Sequence, residues 1–403
     1  MSKNAKHVAP RGRRDASSRA VRPAQSEWVQ ENDNYDDYYL DYDEERHGPR
    51  KAIVAVIVVI AVILLLVLSA YLVFNHFYSK LNYSSGTLTE SERADAIASF
   101  VEDEPAEAPT GDDIDKESLD DLQKSIQDQL SAMGGSVITD KDVINILLIG
   151  SDARTRTEKA RSDVMILASL NKRTHKIILT SFMRDIYTYI PDYGYNRLNA
   201  PYAIAGADYL IETLEADFGV DINNYAAVNF FDFANIIDAV GGVDLSLTNA
   251  EVDFINGQAD TGEQAKLGVG TGAIHLDYSP TGQYHLNGTQ ALAHCRNRSS
   301  AGSDYDRTER QRTVINAIIE KTKNLSLSEL SDLADTLLPM VTTDLTQADC
   351  LSLLLNATEY LNYDRVSLRI PDVQYSGTMI NGMSVISIDF PANAKVLQDT
   401  IYN

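Results

Sequence analysis

"VINILLIG" (residues 143–150) marks where the chain changes character. Upstream of it the sequence is polar and acidic, and from it onward apolar runs alternate with helical patterns to the end. "INILLIG" (144–150), "DVMILASL" (163–170) and "KIILTSF" (176–182) are short apolar runs of the kind a buried sheet needs. Helical patterns follow in "PYAIAGADYLIETLEADFG", "FFDFANIIDAVGG", "RQRTVINAIIEKTKN", "LSELSDLADTLLPM" and "TQADCLSLLLNATEYL". This order predicts an α/β fold, a single domain over residues 141–403 with a central mixed β-sheet between helix layers.

Further upstream, "AIVAVIVVIAVILLLVLSAYLVF" (52–74) carries no charge over 23 residues. As a helix it spans about 34 Å, enough for a bilayer core of about 30 Å. It exceeds the apolar part of a signal peptide and follows a 51-residue leader, so it reads as an uncleaved transmembrane helix. Arg46, Arg50 and Lys51 precede it, whereas Lys80 is the one basic residue among the next 18. The positive-inside rule predicts a single-pass cell-membrane protein, its N-terminus cytoplasmic and its main domain extracellular. Residues 1–51, basic at "RGRR" and acidic and tyrosine-rich at "NYDDYYLDYDEE", read as a disordered cytoplasmic tail. Residues 75–140 read as an acidic extracellular stalk. One short helix is expected within it, because Leu119, Leu122, Ile126 and Leu130 recur at helical spacing.

The net charge of −23 opposes a nucleic-acid partner, since phosphate backbones reward a basic surface. Yet "HCRNRSSAGSDYDRTERQR" (294–312) gathers Arg296, Arg298, Arg307, Arg310 and Arg312. Arg296 and Arg298 alternate as on a strand, which gives them one side. Asp304 is placed as a helix N-cap, and Arg307, Arg310 and Gln311 then share a face that continues through Val314 and Ile318. A solvated charge run would oppose that apolar stripe, so these side chains read as the lining of a cavity. Guanidinium forks near a helix N-terminus suit phosphate oxygens. Arg312 falls off that face.

"TSFMRDIY" adds Arg184 and Asp185 at a strand end, where α/β sheets build sites, and "YGYNRLNAPY" adds Arg197 ahead of a helix. "LLIGSDAR" and "ARSDVMIL" put Asp152 and Asp163 at the ends of two strands, and they converge if those strands pair as a hairpin. Two carboxylates suit a hard divalent cation whose shell phosphates complete, Mg²⁺ first and Mn²⁺ as a substitute. Each aspartate alone reads equally as a turn or cap residue. Cys295 and Cys350 both fall in the main domain, and the sequence leaves their pairing open.

Taken in order, "NILLIGSDAR", "RSDVMILASL", "LTSFMRDIY", "NRLNAPYAIAGADYLIETLEADFG", "YHLNGTQALAHCRNR" and "SDYDRTERQR" resemble the LytR-CpsA-Psr family of Gram-positive cell envelopes, across residues 143–323. The resemblance implies a membrane-anchored phosphotransferase. Such an enzyme moves an anionic glycopolymer, a teichoic acid or capsular polysaccharide, from an undecaprenyl pyrophosphate carrier to a peptidoglycan sugar hydroxyl. It also implies a hydrophobic pocket for the polyprenyl chain, with candidate walls in "YLIETL", "FFDFANIIDAV" and "TVINAIIE".

Carried over by motif, Asp152 and Asp163 match the Mg²⁺ pair, and Arg184, Arg296, Arg298, Arg307 and Gln311 match the pyrophosphate pocket, with Arg197 and Arg310 as further members. Arg184, Arg307 and Asp304 are the catalytic candidates, Asp304 orienting an arginine or activating the acceptor hydroxyl. Two positions depart from the family pattern. Met183 stands where proline is usual, which should loosen a turn, and Asp306 stands where glycine is common. Two other readings stay open, a non-enzymatic envelope protein that binds glycopolymer or polyprenyl phosphate, and a transcriptional attenuator, which the span and the charge oppose.

Overall fold

The computed structural model describes residues 49–85, 87–103, 112–153, 160–260, 275–297, 304–323 and 325–403. The expected tail therefore lies almost wholly outside the described residues, as does Arg298. Residues 63–403 form one compact unit.

Helix α1 (Pro49–Tyr78) is long and apolar enough over Val56–Tyr78 to cross a membrane. It is followed by β1 (Asn82–Tyr83), α2 (Glu90–Asp103) and α3 (Lys116–Met133). Strands β2 (Val143–Ser151), β3 (Ser162–Asn171), β4 (Lys176–Phe182), β5 (Tyr187–Ile190) and β6 (Gly194–Arg197) lead into α4 (Ala200–Ala205) and α5 (Ala207–Phe218). Then come β7 (Asn224–Asn229), α6 (Phe230–Ala239), β8 (Val243–Ser246), α7 (Asn249–Asp260), β9 (Gln283–Leu286), α8 (Gly288–Arg296), α9 (Asp304–Thr322) and α10 (Leu327–Leu337). The chain closes with β10 (Thr342–Thr343), α11 (Gln347–Leu355), α12 (Ala357–Tyr360), β11 (Asp364–Ile370), β12 (Tyr375–Ile380), β13 (Met383–Ile388) and α13 (Phe390–Tyr402).

Seven strands make the central sheet in the order β1-β10-β7-β2-β3-β4-β11. It is mixed: β2, β3 and β4 run antiparallel in sequence order, while β7 joins β2 and β11 joins β4 in parallel. Helices cover both faces, as the dense aliphatic runs require. On one face Leu147, Ile149, Leu167 and Phe182 pack against Ile126 of α3, Phe218 of α5 and Phe390 of α13. The Phe182, Phe218 and Phe390 rings are tilted on one another at 5.0 and 6.1 Å. On the other face the paired positions Ala226, Leu148, Ile166, Ser181 and Arg369 form one row across β7, β2, β3, β4 and β11. Helix α9 contacts β4 on that side. A second core joins α6, α8 and α9 to the β8-β9 pair through Ile237, Leu245, Leu286, Ala293 and Val314.

The segment expected to be a stalk is built into this domain. Asn82 and Tyr83 pair with Thr342 and Thr343 at the sheet edge. Asp115 caps α3 by accepting from Ser118 N, and Ile126 is 1% exposed with Leu119, Leu122 and Leu130 packed around the same core. Helix α2 adds Ile97 and Phe100 to a cluster with Ile190 and Tyr209. The helical period in α3 was legible, but an apolar stripe must be covered, and here the domain covers it.

Candidate functional site

The β2-β3 hairpin ends in a bulge that sets the direction of a carboxylate. Gly150 pairs with Val164 and Ser151 with Ser162, so Asp163 is the extra residue. Glycine is needed at 150, because a Cβ there would come within 2.9 Å of Val164 Cβ. Asp163 accepts from Arg184 Nη1 and lines a cavity of about 680 Å³. Asp152, just past β2, is exposed and outside that lining.

Arg184 reaches the cavity from the turn after β4. Met183 N donates to Ile370 O at 2.9 Å, a bond that proline lacks the N–H to make, and the Met183 side chain is 1% exposed in the main core. The turn is pinned rather than loosened. Asp185 Oδ2 lies 3.5 Å from Arg184 Nε, and Asp185 Oδ1 accepts from Arg197 Nη1 at 3.2 Å. Arg197, expected in the pocket, stands behind Arg184 and steadies it through Asp185. Only the "RD" adjacency hinted at this bridging carboxylate.

Arg307, Gln311 and Ile315 line the cavity from one row of α9. That row differs from the expected face. Arg310 and Val314 point instead toward the second core, where Arg310 Nε donates to Glu251 Oε1 at 2.8 Å and Nη1 to Asn297 O at 3.0 Å. Arg310 is a clamp between α7, the end of α8 and α9, and it is absent from the cavity lining. Helix α9 begins at Asp304, whose side chain lies outside the described ones. Asp306 is half-buried in the first turn, where a carboxylate suits the positive helix end.

Arg296, read as sharing a strand with Arg298, sits instead in the last turn of α8. Asn287 and Gln290 form a full capping box there, a local signal that outweighs an alternation seen at two arginines. Arg296 still lines the cavity, with its guanidinium 5.4 Å above the Phe230 ring. Gly288 permits this, since a Cβ would overlap the Ala234 carbonyl of α6, and Gly288 N donates to Asp238 Oδ1 at 2.7 Å. We expect Gly288→Ala to cost about 2 kcal/mol by forcing α8 off α6. Urea unfolding of the detergent-solubilised protein measures this, and an unchanged midpoint would refute the packing argument.

The rest of the lining is apolar, with Leu148, Val164, Val228, Phe233 and Leu292 among its walls. Asn229 and Phe230 bring the N-terminus of α6 to the cavity, and Asn229 caps it by accepting from Asp232 N. The cavity is thus greasy along its walls, with Arg184, Arg296, Arg307, Gln311 and Asp163 also in its lining. Cys295 also lines it, but burial pushes its thiol up to about 12, away from the thiolate form, and both cysteines are free. Among the described residues no group of three His, Cys, Asp or Glu side chains is arranged to hold a metal. Of the two aspartates expected to hold a cation, Asp163 lines the cavity and Asp152 does not.

Burial pushes His294 down to about 4, opposed by Glu251 at 3.9 Å and reinforced by Arg310. For Glu251, burial raises the carboxyl, but the hydrogen bonds from Arg310 and Thr248 outweigh it and the net shift is downward. Both groups bind protons more readily unfolded than folded, so stability falls through His294 as pH drops from 6.5 toward 4, and through Glu251 only below its ordinary 4.5. A thermal midpoint that fails to drop across that window would contradict this. Arg310→Ala strands the Glu251 carboxylate and should cost about 3 kcal/mol of stability, measured by the same urea unfolding.

Residues 108–401 match the model of the LytR_cpsA_psr family. The chain belongs to this family. Among its relatives in the LytR-CpsA-Psr family is the polyisoprenyl-teichoic acid–peptidoglycan teichoic acid transferase TagU of Oceanobacillus iheyensis, 32% identical over 278 residues, which cover 67% of this chain and 76% of that protein. The corresponding TagT of Bacillus subtilis is 28% identical over 242 residues, 59% of this chain and 71% of that one. The solved structure of TagT bound to LIIa-WTA aligns with a TM-score of 0.52 at 25% identity, covering 66% of this chain and 93% of that one. The resemblance read from motifs between residues 143 and 323 therefore holds, and the LytR-CpsA-Psr match extends upstream past α3 and downstream into α13.

Proposed function

We propose that this chain transfers an anionic glycopolymer from a polyprenyl pyrophosphate carrier to a peptidoglycan sugar hydroxyl. One observation carries the reading: a single cavity joins apolar walls suited to a polyprenyl chain with three arginines suited to a pyrophosphate. The names of TagU and TagT as teichoic acid transferases support the reaction class.

In this reading Arg184, Arg296, Arg307 and Gln311 donate to the pyrophosphate, and the N-terminus of α6 adds a positive field. Neutralising the pyrophosphate lets a hydroxyl approach the phosphorus that carries the polymer. The acceptor oxygen bonds to that phosphorus, the bridging P–O bond breaks, and polyprenyl monophosphate leaves while the proton of the hydroxyl goes to solvent or a nearby base. Mg²⁺ held by Asp152 and Asp163 would stabilise charge on the phosphate oxygens. Asp163 orients Arg184, and Asp185 fixes that arginine from behind.

We further propose that α1 anchors the enzyme with its N-terminus cytoplasmic, which sets the cavity on the side where peptidoglycan lies. Protease added to intact protoplasts should digest the main domain. Protection of that domain would support the attenuator reading instead. A purified full-length enzyme given a lipid-linked donor and peptidoglycan fragments tests transfer itself, and binding without turnover would favour the non-enzymatic reading.

A further inference from the structure

Beyond the cavity, α9 carries a buried arginine that the site above does not use. Arg312 is 8% exposed, its Nη1 donates to Ser181 Oγ at 2.7 Å, and its Nε is buried without a hydrogen-bond partner. Among the described residues, no ion pair to a carboxylate joins it. Arg369 stands nearby on β11, directly paired with Ser181, and Ser181 shares the face on which Leu148 and Ala226 line the cavity. Burial depresses the basicity of Arg312, Glu309 partly restores it and Arg369 lowers it again. A guanidinium buried against a hydroxyl and beside a second cation is costly unless an anion joins it.

The row across the sheet gives the distance. Ser181 lies two strands from Leu148, about 10 Å at the usual strand spacing. That is a short step along a polymer whose pyrophosphate end occupies the cavity. Two guanidinium groups beside a hydroxyl match the paired oxygens of a phosphodiester.

We propose that Arg312, Arg369 and Ser181 form a second anion subsite, which takes a phosphodiester group of the glycopolymer chain next to the transfer site. The subsite rests on the transfer reading for its ligand. It selects donors that carry phosphodiester repeats over donors with a neutral sugar.

The test uses full-length protein in detergent and two lipid pyrophosphate donors, one ending in a neutral disaccharide and one extended by glycerol phosphate units. Arg369→Gln and the gentler Arg312→Lys should each raise KM for the extended donor about tenfold, with kcat unchanged and the neutral donor unaffected. An equal change on both donors, or none on either, overturns the subsite. A soluble glycerol phosphate oligomer is titrated in parallel, alongside a carboxylate-bearing oligomer of the same length. Weaker binding of the phosphate oligomer to Arg369→Gln than to wild type supports the subsite even if neither donor turns over, an outcome that would sink only the transfer reading. Equal binding by the two proteins, or equal affinity for the two oligomers, overturns it.

Discussion

Arg307→Ala should lower transfer roughly 10⁴-fold while the domain stays folded, a loss in the range seen when an arginine that neutralises phosphoryl charge is removed. Arg307 is 5% exposed and lines the cavity from α9, as Asp163 and Arg184 do from the ends of β3 and β4. A guanidinium buried in so apolar a lining acts in a low effective dielectric, which multiplies its hold on charge. Arg310, three residues along the same helix, gives the control. Its Ala variant should lose stability through Glu251 with far less direct effect on chemistry, so the two substitutions carry opposite signatures. Turnover and urea unfolding measured side by side check this. Wild-type turnover by Arg307→Ala would remove that residue from the site.

Asp163→Asn should reduce turnover roughly 10³-fold, as expected when a preorganised electrostatic contact at a reacting phosphate is removed. The substitution keeps shape but deletes a charge that faces Arg184 and is proposed to hold Mg²⁺. Mg²⁺ titration separates the two roles. If Asp163 holds the cation, the variant needs far more Mg²⁺ for half activation. If it only orients Arg184, turnover falls with the Mg²⁺ dependence unchanged, and the metal assignment is wrong.

Much of this was legible because the sheet writes itself into composition. β2, β3 and β4 are aliphatic runs that only a two-sided core tolerates, but the sequence paired Asp163 with Asp152, whereas the structure sets it against Arg184 at the end of β4. The failures share a cause. The spacing of Arg310 and Gln311 gives a face but not its limits, and a helix wedged between a cavity and a second core divides adjacent positions between them. Arg296 looked like a strand residue because an alternation of two arginines cannot distinguish a period of two from a helix end, whereas the Asn287 and Gln290 capping box could have. The stripe of α3 was legible, but its partners on α5 and α13 lie far along the chain, so the helix was read as part of a stalk. The bulge at Asp163 depends on Gly150 meeting Val164 across the hairpin, a contact no local pattern records.

The most direct test is a single-turnover reaction of the full-length protein with a radiolabelled polyprenyl pyrophosphate-linked glycopolymer and peptidoglycan fragments, with Mg²⁺ present. The account predicts label joined to peptidoglycan through a phosphodiester and one polyprenyl monophosphate released per bond formed, both lost in Arg307→Ala. Tight binding of the donor with no label transferred and no polyprenyl monophosphate released would contradict it.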